Sequence, residues 1–173
     1  AMPYAFLDDA PLEERRARAV TLRRALPEDA RDLGSLDEEA IAAESAGAWP
    51  VARDADELHD TLMTLGVIAE TDVDAQGATG WHAWLAELKA AGRAMTLAVD
   101  GRTYWLAMER SSMVAAAYPN GTLSAEPWLF AKSMEPEDAE REIVRGRVEA
   151  TGPFTTVEMA EALALAKSTV DIA

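Results

Sequence analysis

Asp100-Gly101 lies between two runs of alternating residues, and a D-G pair in that setting closes a two-residue type I′ hairpin. Before the turn, Met95, Leu97 and Val99 alternate with Thr96 and Ala98, the period of a half-buried strand. After it, Arg102 to Leu106 forms the returning strand. This turn pairs Leu97 with Tyr104 and Met95 with Leu106 on one face, and Thr96 with Trp105 on the other. Upstream, Trp81, Trp84, Leu85 and Leu88 fall at i, i+3, i+4 and i+7, on one face of a helix that Gly92 ends. The two periodicities predict a core in which Trp84, Leu85 and Leu88 pack on Leu58, Leu62 and the Met95/Leu97 face of the hairpin. Helix, turn and hairpin in this order make the second half of a winged-helix module, a helix that can enter a groove followed by a wing.

The rest of the 173 residues supplies the other half and more. Residues 1–33 read as an N-terminal linker helix with six arginines and Glu14-Arg18 as an i,i+4 pair. A winged-helix domain follows over 34–118. Ser35 and Glu38 form a capping box for a helix from Leu36 to about Trp49. Asp54 and Glu57 repeat that pattern before the Leu58, Leu62, Leu65 stripe, and the polar segment Glu70 to Gly80 reads as a loop. Arg110 to Tyr118 suggests a short helix; 119–134 is an irregular spacer in which Pro127 to Phe130 can dock on the core. From 135 to 173 the pattern restarts as a truncated second winged-helix module. There Pro136 opens a helix with Ala139, Ile143 and Val148 towards a core, Thr155 and Glu158 form another capping box, and Ser168 caps the last helix. The expected class is mainly α with a β-hairpin, a winged helix followed by the start of a second.

Hydrophobic residues make up 49% and charged ones 27%, the balance of a soluble globular protein. Cysteine is absent, so disulfides and thiolate-ligated zinc are excluded. Without an eighteen-residue apolar run or a signal peptide, the expectation is a cytoplasmic protein with no membrane partner. A net charge of −15 argues against nucleic acid, because phosphate binding needs a basic surface. The distribution weakens that objection: residues 36–80 carry eleven acids against Arg53 alone, whereas residues 81–134 carry five bases against four acids. Lys89, Arg93, Arg102 and Arg110, with Tyr104 as a stacking ring, are therefore the candidate nucleic-acid contacts. The competing readings are that a hairpin simply holds fewer acids and that its aromatics pack in a core.

No residue reads as catalytic and none as a metal ligand. Asp37-Glu38-Glu39-Ala40 lacks the apolar strand and upstream phosphate loop of a helicase motor box, and no G-x-x-x-x-G-K-[ST] occurs. His59 and His82 stand outside metal-ligand spacings, and no nucleophile elbow is present.

FLDDAPLEERRARAV, AWPVARDADELHDTLMTLG, GRTYWLAMER with the AAAYP that follows, and EPEDAEREIVRGRVEATGPFT together resemble the region just beyond the helicase core of bacterial large helicase-related (Lhr) DNA helicases. In that family a 3′-to-5′ DNA translocase using ATP and Mg²⁺ is followed by tandem winged helices similar to winged-helix DNA glycosylases. The resemblance implies a non-catalytic fragment of a DNA repair helicase, with no cofactor of its own, serving as a DNA-binding or module-docking scaffold. Its partners would be the rest of the parent chain and, weakly and non-specifically, DNA. A stand-alone winged-helix transcriptional regulator, or part of a winged-helix DNA glycosylase, are the alternatives.

Overall fold

A computed structural model describes residues 38–75, 80–128 and 134–173. The chain divides into two compact units, 1–41 and 42–173, and the fold below is that of the second. The expected linker helix over 1–33 and the Ser35 cap lie outside the described residues. Helix α1 (Glu38–Ala48) leads into α2 (Ala55–Leu65), where the extended Asp54 accepts from the Glu57 N–H at 2.9 Å and starts the helix. The Glu57 carboxylate does not return to Asp54, as a capping box requires; it takes the Arg53 N–H at 2.9 Å and the Arg53 guanidinium instead. Leu58, Leu62 and Leu65 are buried one or two turns apart along one side of α2.

Strand β1 (Ile68–Ala69) and helix α3 (Glu70–Ala75) come next. The helix corrects the loop expected over Glu70 to Gly80: Glu70 to Ala75 is helical, and residues 76–79 lie outside the described residues. Helix α4 (Trp81–Ala90) buries Trp81, Leu85 and Leu88, while Trp84 is only partly covered. At its end Gly92 takes φ +71°, which lets the Gly92 N–H reach Lys89 O (3.1 Å) and the Arg93 N–H reach Leu88 O (2.8 Å). That pair of bonds is a Schellman closure, which satisfies carbonyls the helix would leave unpaired.

Strands β2 (Ala94–Val99) and β3 (Arg102–Ala107) are joined by Asp100 (φ 48°) and Gly101 (φ 72°), and pair Leu97 with Tyr104, Met95 with Leu106 and Thr96 with Trp105. A turn with two positive φ values matches the right-handed twist of the strands and fixes this register. β1 pairs with the outer side of β3, and β4 (Thr122–Leu123) pairs with β2, giving the antiparallel order β1-β3-β2-β4. Between β3 and β4 run a 3₁₀ turn (Met108–Arg110) and α5 (Ser111–Ala117). The expected spacer therefore contributes a strand, and the Trp128 side chain remains exposed while its backbone bonds to Ser111 and Ser112.

Three helices close the chain: α6 (Pro136–Glu149), α7 (Thr156–Leu163) and α8 (Lys167–Ile172). Ala139, Ile143, Val144 and Arg147 face inward on α6; Val148, expected inside, lies off that stripe and is exposed. Thr155 and Glu158 form the reciprocal box at α7, whereas Ser168 is inside α8, whose N-cap is Ala166. Arg147, 8% exposed, is held 2.9 Å from the Asp72 carboxylate on α3 and stacks 4.4 Å from the Trp49 ring.

The sheet is covered on both faces, and this changes the expected core. Ala94 and Ala107, with part of Trp105, face Leu58, Leu62, Trp81, Leu85 and Leu88 of α2 and α4. Met95, Leu97, Val99, Tyr104 and Leu106 face away from them, onto Met113 and Val114 of α5, Tyr118 just after it, Ile143 of α6, and Met159 and Leu163 of α7. The expected contact of Leu85 and Leu88 with the Met95/Leu97 face is thus replaced by contact with the opposite, small-residue face. The physical reason is size: alanines let α4 approach the strands closely, and the bulky face demands a second helical layer to remove it from water.

Candidate nucleic-acid interface

In a winged helix, α4 is the element that can enter a groove and the β2-β3 turn is the wing. Four of the five candidate residues on these elements and just after them are engaged within the unit. Arg93, at the end of α4, donates to Asp56 of α2 at 2.6 Å; the pair is well exposed and contributes little stability. Arg110 donates from Nε to Met63 O at 2.9 Å. Lys89 is exposed and lies 5.4 Å from the Trp105 ring centroid, a cation–π contact across α4 and β3.

Tyr104 is 1% exposed, with its ring stacked on Tyr118 at 6.4 Å. It cannot offer a face to a nucleic-acid base in this fold. Its hydroxyl donates to Ala162 O at 3.0 Å, that of Tyr118 donates to Leu163 O at 2.7 Å, and the Arg102 guanidinium donates to Glu161 O. Three successive carbonyls in the last turn of α7 are thus taken by donors from β3 and the end of α5. Only Glu161 O among them also takes a backbone donor in the helix cap, the Ala164 N–H at 3.4 Å, and all three carry the negative end of the helix dipole, so hydroxyls and a guanidinium are the groups that suit them. Burial, before any other influence, raises the Tyr104 and Tyr118 phenols above the ordinary tyrosine range, with Arg102 opposing it at Tyr104. Both hydroxyls therefore remain donors well into the alkaline range.

The structure brings Arg102 and Tyr104 together on α7, and sends Arg93 and Arg110 to different ends of α2. Pattern reading could not find the α7 contact, since its acceptors are backbone atoms nearly sixty residues away in sequence. It also missed the neighbourhood of His82 at the head of α4, where Asp74 and Glu70 of α3 stand beside the ring.

The succession of helix, short strand, two helices and a β-hairpin, with the sheet laid on the helices, defines a winged-helix domain. Residues 32–117 match the family model described as "Large helicase-related protein, winged-helix domain". A relative from Mycolicibacterium smegmatis, named "Lhr helicase/ probable uracil glycosylase", is 31% identical over 170 residues, which is 91% of this chain. The chain belongs to the large helicase-related (Lhr) family. It spans 11% of the length of that curated relative. Among the described residues no helix is long and apolar enough to cross a membrane.

Proposed function

We propose that this chain is a non-catalytic winged-helix scaffold of an Lhr-type DNA repair helicase, docking modules beside the ATP- and Mg²⁺-driven motor and touching DNA weakly and without sequence preference. One observation carries the reading. The wing's arginine and tyrosine are engaged with the end of α7, so the surface that a free-standing DNA reader would present is used to hold the next helices. The engagement of Arg93 by Asp56 points the same way. A module whose arginines are engaged by its own acceptors positions its neighbours better than it neutralises phosphates.

The reading is tested by fluorescence anisotropy with single- and double-stranded oligonucleotides at two salt concentrations. Dissociation constants of roughly 10⁻⁴ to 10⁻⁶ M, the non-specific range, are expected, weakening steeply with salt. Lys89→Glu, which alters an exposed cation, reduces what binding there is. Nanomolar, sequence-selective binding by this chain alone would overturn the scaffold reading in favour of a DNA reader. Calorimetry with ATP is expected to show no binding, since the sequence holds no glycine-rich loop with its lysine.

A further inference from the structure

Glu70 and Asp74 lie one turn apart on α3, and His82 is the second residue of α4. Their side chains meet: His82 Nε2 is 3.1 Å from Asp74 Oδ1, and His82 Nδ1 is 3.7 Å from Glu70 Oε1. One ligand-type atom from each of the three lies within 4.8 Å of the others. Metal–ligand bonds of about 2.1 Å place neighbouring donors about 3.0–3.4 Å apart in octahedral or tetrahedral geometry, so one carboxylate must turn from its own ring nitrogen to the other for the set to share one ion.

The imidazole stands where positive charge is favoured. A neutral ring has one N–H donor and one lone pair, yet here each ring nitrogen faces a carboxylate oxygen. In either neutral tautomer one ring lone pair is turned toward an acceptor, and positive charge there, a second ring proton or a bound cation, removes the conflict. A further element supports the set from behind. The other Glu70 oxygen, Oε2, accepts from the Trp105 indole N–H on β3, the kind of outer hydrogen bond that orients a ligating carboxylate. The three side chains are half open to solvent, which leaves an entry path and room for water in the remaining positions.

We propose that Glu70, Asp74 and His82 form a binding site for one divalent transition-metal ion that clips α3 to the head of α4. One imidazole nitrogen and two carboxylate oxygens, completed by water, suit Zn²⁺ best; Mg²⁺ and Ca²⁺ prefer all-oxygen shells. The ion would offset two negative charges beside α4 and fix the spacing of the two helices that flank residues 76–79.

The test is isothermal titration calorimetry of the whole chain with Zn²⁺ at neutral pH, with Mg²⁺ run in parallel. One Zn²⁺ per chain is expected to bind more tightly than any other, with no matching Mg²⁺ isotherm. His82→Ala and Asp74→Asn each weaken that site about tenfold or more, while Asp100→Asn, an exposed carboxylate at the wing tip, leaves it unchanged. Because His82 and Asp74 are exposed, both variants keep the metal-free circular dichroism spectrum; should one not, the other still decides. In the Co²⁺-loaded chain, visible absorption of a nitrogen-ligated ion is expected, and it is lost in His82→Ala. Absence of a stoichiometric Zn²⁺ isotherm, or one that survives both substitutions, overturns the proposal.

Discussion

Tyr118 is 5% exposed, and its hydroxyl donates to a carbonyl at the end of α7, so nothing replaces that bond when it is removed. Tyr118→Phe leaves Leu163 O short of a donor and costs about 1–2 kcal/mol by urea denaturation. The same hydroxyl sets an alkaline limit. Its acidity is lowered by burial first and then by Tyr104 and Glu140, so the folded-state pKa stands above that of the unfolded chain. Such a group contributes stability that is complete below about pH 10, the ordinary tyrosine value, and is lost as pH rises above it. Thermal melts between neutral and alkaline pH are expected to show that fall, and Tyr118→Phe flattens it. Gly146 is constrained differently: a Cβ there would sit 2.2 Å from Thr64 O, where α6 crosses the end of α2. Gly146→Ala forces the two helices apart and is expected to cost about 1–3 kcal/mol, whereas Gly47→Ala, with nothing within 4 Å, does not.

Elements with strong local signals follow the sequence closely, and those without do not. The D-G turn, the Gly92 closure and the register of Tyr104 opposite Leu97 rest on contacts between near neighbours, which is why pattern alone finds them. β1 and β4 are two residues each, too short for any period to show, and exist because long strands offer them backbone partners. α3 is six residues in which Glu, Thr and two Asp surround one buried Val73 before Ala75, a composition that reads as a loop until Ile68 anchors its start. Which face of the hairpin meets α4 was equally out of reach, since both faces carry apolar residues and only the later helices decide between them. The candidate site suffered in the same way: charge identified Arg93, Arg102 and Arg110, but charge does not reveal that Asp56 and two backbone carbonyls hold them. At the start of α7 the local rule is testable. The Thr155 side chain accepts from Glu158 N at 3.2 Å and the Glu158 carboxylate accepts from Thr155 N at 2.7 Å, so Thr155→Ala is expected to cost about 1 kcal/mol. The backbone N–H of Thr155, then its hydroxyl, hold the Glu158 carboxyl below the ordinary range. Its contribution is therefore present above about pH 4.3 and disappears as pH falls through the folded-state value. Urea midpoints measured down that range should drop less for Glu158→Gln than for the parent.

At the scale of the whole unit, the β-hairpin is shared by the two described hydrophobic clusters. Met95 and Leu106 belong to the one, Ala94 and Ala107 to the other, and they alternate along the same strands. Losing either helical layer exposes one face of the sheet and removes the packing that orders the strands for the other. A winged helix over 34–118 and a separate module over 135–173 would unfold in two steps; a sheet filled from both sides predicts one step for residues 42–173. Leu85→Ala in the α4 cluster and Ile143→Ala in the α6 cluster each remove a side chain that is 0% exposed, at a cost of about 2–5 kcal/mol. The informative quantity is how the probes move. Tryptophan fluorescence reports mainly on the side where Trp81, Trp84 and Trp105 lie, and far-ultraviolet circular dichroism reports on all the helices. Both substitutions are expected to shift the two transitions together and by the same amount. Were Ile143→Ala to lower the circular dichroism midpoint while leaving the fluorescence midpoint in place, the sheet would not couple its two faces, and the C-terminal helices would be a separately folding module resting on the wing.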